Sequence, residues 1–116
     1  MLFLKINYDD SKPALERIDM PDPDDVRSWL DACHEHLECD CIEIAATRLK
    51  DIVLVIDDAA KLRDGWTNRI NTVASILYGS LNDPIVGNAI LARRLGPDLL
   101  PMTEKDVDNL ENIFGV

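Results

Sequence analysis

The sequence predicts a single α+β domain over residues 1–116, in which a mainly antiparallel sheet of four to five strands carries three helices. The first observation is the order β-β-α-β-β-α-β-α, read from segments with strand alternation and segments with helical spacing. The second is the length of 116 residues, which suits one domain. The third is a hydrophobic content of 47%, which is sufficient for a packed core.

The first third of the chain predicts two strands followed by a helix. Leu2 to Tyr8 alternates between apolar and polar residues, and residues 14–20 are expected to return as the second strand after a polar turn. Asp22 is predicted to cap the helix, with Pro23 at its first position. One apolar stripe should face the core, formed by Val26, Trp29, Leu30, Cys33 and Leu37.

Three further strands are predicted in the middle and later parts of the chain. Cys41 to Thr47 is the first, with alternate residues on one face. The unbroken β-branched run Ile52 to Ile56 indicates a central strand that is covered on both faces. Ile85 to Ala92 is expected to be a strand in which Gly87 marks a bulge or a close backbone approach.

Two more helices complete the predicted fold. Asn68 or Asn71 could cap the earlier one, whose apolar spacing runs over residues 70–78. Thr103 with Asp106 three residues later resembles a capping box for the terminal helix. Its inner face is predicted to consist of Val107, Leu110, Ile113 and Phe114.

The net charge of −10 comes almost entirely from one stretch of the chain. The 35 residues from Asp9 to Glu43 contain 12 acidic and 3 basic side chains, a net of −9. Because phosphate binding needs clustered Lys and Arg, this charge argues against direct binding of nucleic acid or an anionic membrane. Two interpretations stay open, a solvated face that favours solubility and a binding face for a basic partner. The candidate binding residues are Asp22, Asp24, Asp25, Asp31 and Glu35.

Targeting signals are not evident in the sequence. The longest apolar runs are as short as Ile52 to Ile56, which excludes a transmembrane helix, and the first residues lack the basic region of a secretory signal. A cytoplasmic location in a host cell is therefore expected, where the three cysteines should stay reduced.

The motifs give no support for a catalytic, metal or cofactor site, so we expect a non-enzymatic protein. Nucleophile-elbow, phosphate-loop, dinucleotide-binding and zinc-protease patterns are all missing. Thiols and imidazoles are concentrated between Cys33 and Cys41, but their spacing matches no known zinc pattern. The pair Asp57–Asp58 after the central strand leaves a metal-dependent hydrolase as a second alternative.

A polar segment after the central strand is the candidate ligand or contact site. It suggests the first alternative function, a small-molecule binding protein for a nucleotide-type ligand. Trp66 lies in a polar loop, where it could contact a partner or fold back onto the core. The candidate residues are Asp57, Asp58, Lys61, Trp66, Asn68, Arg93 and Arg94.

From Ile42 onward the chain resembles a family of small phage- and prophage-associated domains of unknown function. The resemblance covers about residues 42–114 in order, although Ala60 stands where the family usually has glycine. Its blocks are Ile42-Glu43-Ile44, the strand Ile52 to Ile56, Asp57-Asp58-x-x-Lys61-Leu62, Asn68, Asp83-x-Ile85-Val86-Gly87-Asn88-Ala89 and Leu100-x-x-Thr103-x-x-Asp106.

The resemblance implies a mobile-element context and no particular activity. Together with the charge segregation, it leads to the main hypothesis: a phage accessory protein that acts through protein contacts. The expected partner is a host defence or regulatory protein, with a basic nucleic-acid-binding cleft that would accept the acidic face. A homo-oligomer is also open, because a small sheet with an uncovered edge can pair with itself.

Overall fold

A computed structural model describes residues 1–80 and 82–115 of the chain. Within these residues it contains three α-helices and six strands, which confirms the predicted α+β class with one strand more than expected. The elements are β1 (Leu2–Ile6), β2 (Leu15–Asp19), α1 (Val26–Leu37), β3 (Ile42–Ala46), β4 (Ile52–Asp57), α2 (Thr72–Tyr78), β5 (Ala89–Leu95), β6 (Asp98–Leu100) and α3 (Glu104–Ile113).

The strands form one sheet in the order β2-β1-β5-β4-β3, and all of their pairings are antiparallel. The short strand β6 pairs with the C-terminal part of β5. Val53, Leu54 and Val55 of β4 are all buried, which confirms a central strand covered on both faces. The edges of the main sheet are β2 and β3.

The sheet separates two hydrophobic cores because successive residues of a strand point to opposite faces. On one face, Val53 and Val55 pack in a cluster with Trp29 and Cys33 of α1. On the other face, Leu54 joins a cluster to which α2 and α3 contribute Ala74, Leu77, Val107 and Leu110. The helix α1 therefore lies on the face opposite to α2 and α3.

Side chains cap the start of each α-helix, as the sequence suggested, although the first cap is shifted. Asp25, not Asp22, caps α1 and accepts a hydrogen bond from the Ser28 N–H at 3.4 Å. Asn71 caps α2 by accepting from the Ala74 N–H at 3.1 Å. Thr103 caps α3, as predicted.

Two predicted strand and helix features are wrong in detail. β5 begins at Ala89, because Gly87 takes a φ of +82° and ends the extended segment before it. Val86 forms only an isolated bridge to Ile70. The predicted apolar stripes are also too wide, since Val26 is 60% exposed and Ile113 is 68% exposed.

Candidate functional site

The predicted acidic residues all lie at the surface, around the start and outer side of α1. Asp22 accepts a hydrogen bond from the Asp24 N–H at 2.9 Å, and Asp25 is the helix cap. Asp31 and Glu35 are one helical turn apart on α1. These five exposed residues are called the acidic face below. Among the residues that the structure describes, none of the five forms an ion pair.

Acidic side chains elsewhere in the protein are compensated more often. Arg17 on β2 binds three carboxylates of α3, those of Glu104 at 2.5 Å, Asp108 at 2.6 Å and Glu111 at 2.5 Å. These hydrogen bonds, the one to Glu111 foremost, raise the pKa of the guanidinium further. The acidic face is therefore distinguished by five unpaired carboxylates that are grouped around α1.

A cleft lies where β4 ends, and we call it the β4 cleft. Its volume is about 150 Å³. Asp58, Lys61 and Tyr78 contribute polar groups to its wall, and Lys61 forms an ion pair there with Asp83. The remaining lining residues are Glu43, Ala45, Ile56, Asp57, Ala60, Pro84, Ile85 and Val86.

Both carboxylate oxygens of Asp57 are bonded to other groups of this chain. Its side chain is only 5% exposed, one carboxylate oxygen accepts the Ala59 N–H at 2.9 Å, and the other pairs with Arg63. Because both oxygens have partners, the geometry gives Asp57 a structural role in the turn after β4. The carboxylate of Asp58, in contrast, is exposed at the cleft.

The structure separates the other candidate contact residues from this cleft. Trp66 is half-buried and begins a short 3₁₀ turn, Trp66–Arg69, in which Asn68 is exposed. Arg93 pairs with Ile52 at the start of β4, whereas Asp57 closes the same strand. Five residues of strand correspond to about 17 Å. The predicted grouping of Arg93 and Arg94 with the segment 57–68 is therefore not found.

Both arginines of β5 bind backbone carbonyls at the far end of the sheet. The Nε of Arg93 donates to the Pro101 carbonyl at 2.7 Å, and that of Arg94 donates to the Gly96 carbonyl at 3.1 Å. These contacts secure the connection of β5 to β6 and the segment that follows. They give the pair a local structural role.

The three cysteines are free thiols with different environments. Burial, and to a lesser extent the nearby Cys39, raises the pKa of Cys33 to about 12. Burial also raises the pKa of Cys39, whereas Cys41 is exposed. The pKa of His36 is lowered by burial and by Lys5. Within residues 1–80 and 82–115, no three His, Cys, Asp or Glu side chains are grouped so that they could hold a metal ion.

Comparison of the chain with protein-family models, with curated proteins and with solved structures finds no match. The helices of the described residues are all too short or too polar to cross a membrane. The site must therefore be interpreted from its own geometry.

Proposed function

We propose that this chain is a non-enzymatic protein-binding domain that docks its acidic face against a basic surface of a partner protein. The observation that carries the proposal is the uncompensated charge of Asp22, Asp24, Asp25, Asp31 and Glu35, which are exposed and have no ion pair among the described residues. Arg17 shows that the same chain neutralises acidic groups where α3 packs on the sheet.

The chemistry of such a face favours a partner with a cluster of Lys and Arg. A surface that carries only negative charge raises the rate of encounter with a positively charged partner and disfavours binding of acidic proteins. A cleft that otherwise binds nucleic acid has the required charge. The proposal therefore includes a host defence or regulatory protein as the partner class, and the mobile-element context that the resemblance of residues 42–114 implies.

The test compares two variants of equal net charge. One neutralises the acidic face by Asp22→Asn, Asp24→Asn, Asp31→Asn and Glu35→Gln, and keeps Asp25 because it caps α1. The control neutralises four exposed acids elsewhere by Asp10→Asn, Asp51→Asn, Asp64→Asn and Asp98→Asn. Each protein is immobilised and exposed to extract of the host cells at two salt concentrations.

We expect a discrete partner to be retained by the wild type and by the control variant, and lost from the variant of the acidic face. Retention should weaken as salt rises, because exposed charges are screened beyond about 10 Å at 0.1 M ionic strength. Equal retention by both variants, or retention that ignores salt, would contradict the proposal.

The β4 cleft supports a small-molecule function less well. Its volume of about 150 Å³ is below the roughly 300–1,000 Å³ of typical ligand pockets, so it would enclose only part of a nucleotide. Asp57 is engaged by Arg63 and by the backbone, so the Asp57–Asp58 pair does not present two free carboxylates for a metal-dependent hydrolase.

A further inference from the structure

We propose that β3 pairs with β3 of a second copy of this chain, antiparallel and about a two-fold axis at Ile44. The result is a dimer with one continuous sheet. This inference does not depend on the acidic face or its partner. It follows from the backbone and side chains of a single edge strand.

The hydrogen-bond pattern of β3 fixes which residues point their backbone away from the sheet. The Asp58 N–H donates to the Cys41 carbonyl at 3.1 Å, so these two residues form a hydrogen-bonded pair of the ladder. Hydrogen-bonded and non-hydrogen-bonded pairs alternate along an antiparallel ladder. Counting from Cys41, Glu43 and Ala45 are therefore also in hydrogen-bonded pairs, and their N–H and C=O groups point towards β4. The outward-facing N–H and C=O groups belong to Ile42, Ile44 and Ala46.

The edge at β3 carries fewer of the features with which proteins prevent pairing than β2 does, since Glu43 is its one charged residue. Its register with β4 runs without a bulge over all five residues, and it contains neither proline nor lysine. The side chain of Ile44 is 40% exposed and belongs to neither core cluster. The other edge, β2, carries Glu16, Arg17 and Asp19, and α3 binds its arginine. The edge available for pairing is therefore β3.

The sequence of β3 is complementary to itself in one register. When the two-fold axis lies at Ile44, all five residues of β3 are paired. Ile44 then lies opposite Ile44 of the second copy, and Ile42 lies opposite Ala46 of the second copy. Glu43 then faces Ala45 of the second copy. A shift of the axis to Glu43 would instead place two carboxylates directly opposite each other, which is destabilising.

The expected salt dependence is opposite to that of binding through the acidic face. Two chains of net charge −10 repel each other, and the contacts at β3 are mainly apolar and backbone contacts. Screening should therefore strengthen the dimer as salt rises, while it weakens a complex with a basic partner. The two proposals can thus fail separately.

Analytical ultracentrifugation over a range of concentration tests the dimer and its location. The wild type should reach twice the mass of one chain. Ile44→Lys puts two like charges at the axis, and Ile44→Pro removes an outward N–H without touching the ladder to β4. Both should raise the dissociation constant by about tenfold or more. Leu62→Lys, at a residue that is 86% exposed, should leave it unchanged. Thermal unfolding checks that each variant is folded.

Disulfide trapping tests the register independently. In a Cys41→Ser background, Ile44→Cys should give a covalent dimer on mild oxidation, because paired residues of this type have Cα atoms about 5.5 Å apart. Ala46→Cys is the control. Position 46 faces Ile42 of the second copy, so the two introduced cysteines would be offset by four residues along the strands, or about 13 Å. A wild type that stays monomeric, a dimer that ignores both Ile44 substitutions, or preferential trapping through Ala46→Cys would each overturn the proposal.

Discussion

The buried side chain of Asn71 donates a hydrogen bond from Nδ2 to the backbone carbonyl of Ile6 at 3.0 Å, and so joins the start of α2 to the end of β1. The same amide group donates to the Gly87 carbonyl at 2.9 Å. Its oxygen accepts the Ala74 N–H as the cap of α2. One side chain therefore connects a helix, a strand and the loop that leads into β5.

Replacement of Asn71 by Leu should be among the most destabilising single changes in the protein. One buried and one partly buried carbonyl lose their donor and α2 loses its cap, so we expect the free energy of unfolding to fall by about 3 kcal/mol. Urea denaturation measures this. Asn68→Ala, at an exposed position in the preceding turn, should change it by about 0.5 kcal/mol or less. Equal effects of the two substitutions would contradict the central role of Asn71.

The sequence identified Asn71 as one of two cap candidates, but its second role depends on contacts with Ile6 and Gly87 that lie far away along the chain. Local patterns were sufficient for β1, for the central strand and for the cap of α3, because alternation, β-branching and capping act over a few residues. They were insufficient for β6, a strand of three residues whose pairing with β5 is stabilised across a tight turn.

Arg17 should matter most at low ionic strength. Its removal by Arg17→Met takes away the ion pairs that join α3 to β2, and leaves Glu104, Asp108 and Glu111 close together without a cation, so that their mutual repulsion destabilises α3. We expect a melting temperature a few degrees below that of the wild type in dilute buffer, and a smaller difference in high salt. Arg27→Met, at an exposed residue of α1 without an ion pair among the described residues, is the control. A difference that does not depend on salt would show that Arg17 acts through packing alone.

The buried thiol of Cys33 should make the protein less stable in alkaline solution. Its pKa is about 12 in the folded state against 9.0 ordinarily, chiefly because of burial. Above pH 9 the unfolded chain loses this proton while the folded chain keeps it. The stability is therefore complete below pH 9 and falls as pH rises towards 12, by at most about 1.4 kcal/mol per pH unit.

Urea denaturation at several pH values between about 8 and 11 measures this slope. Cys33→Ala should be less stable than the wild type near pH 8 because of its cavity, but its slope should be shallower, so the difference between the two proteins should shrink as pH rises. Thiol titration adds a second readout, since native protein should react rapidly only at exposed Cys41. An unchanged slope in Cys33→Ala would contradict the assignment.

The candidate site could be predicted only in part. Exposure of Asp22, Asp24, Asp25, Asp31 and Glu35 followed from charge and helical spacing, since charged side chains seldom lie in a core without partners. The distance between Arg93 and the β4 cleft depends on the register of β4 with β5, which no local pattern specifies. The pairing of Asp57 with Arg63 was missed for a similar reason, because it depends on the path of the turn after β4.

The ion pair between Asp57 and Arg63 should show strong coupling in a double-mutant cycle. Arg63→Gln leaves a carboxylate that is 5% exposed without its cation, which we expect to cost about 2 kcal/mol, less than a fully buried pair because Arg63 is 40% exposed. Asp57→Asn keeps an acceptor for the Ala59 N–H and removes the charge, so it should cost less. Arg63→Gln is costly because it leaves the buried carboxylate of Asp57 unpaired, and Asp57→Asn removes that negative charge. The loss in free energy of unfolding of the double variant should therefore be smaller than the sum of the two single losses, by about 1 kcal/mol. Additive losses would mean that the side chains act independently, and that the turn after β4 is held by its backbone contacts.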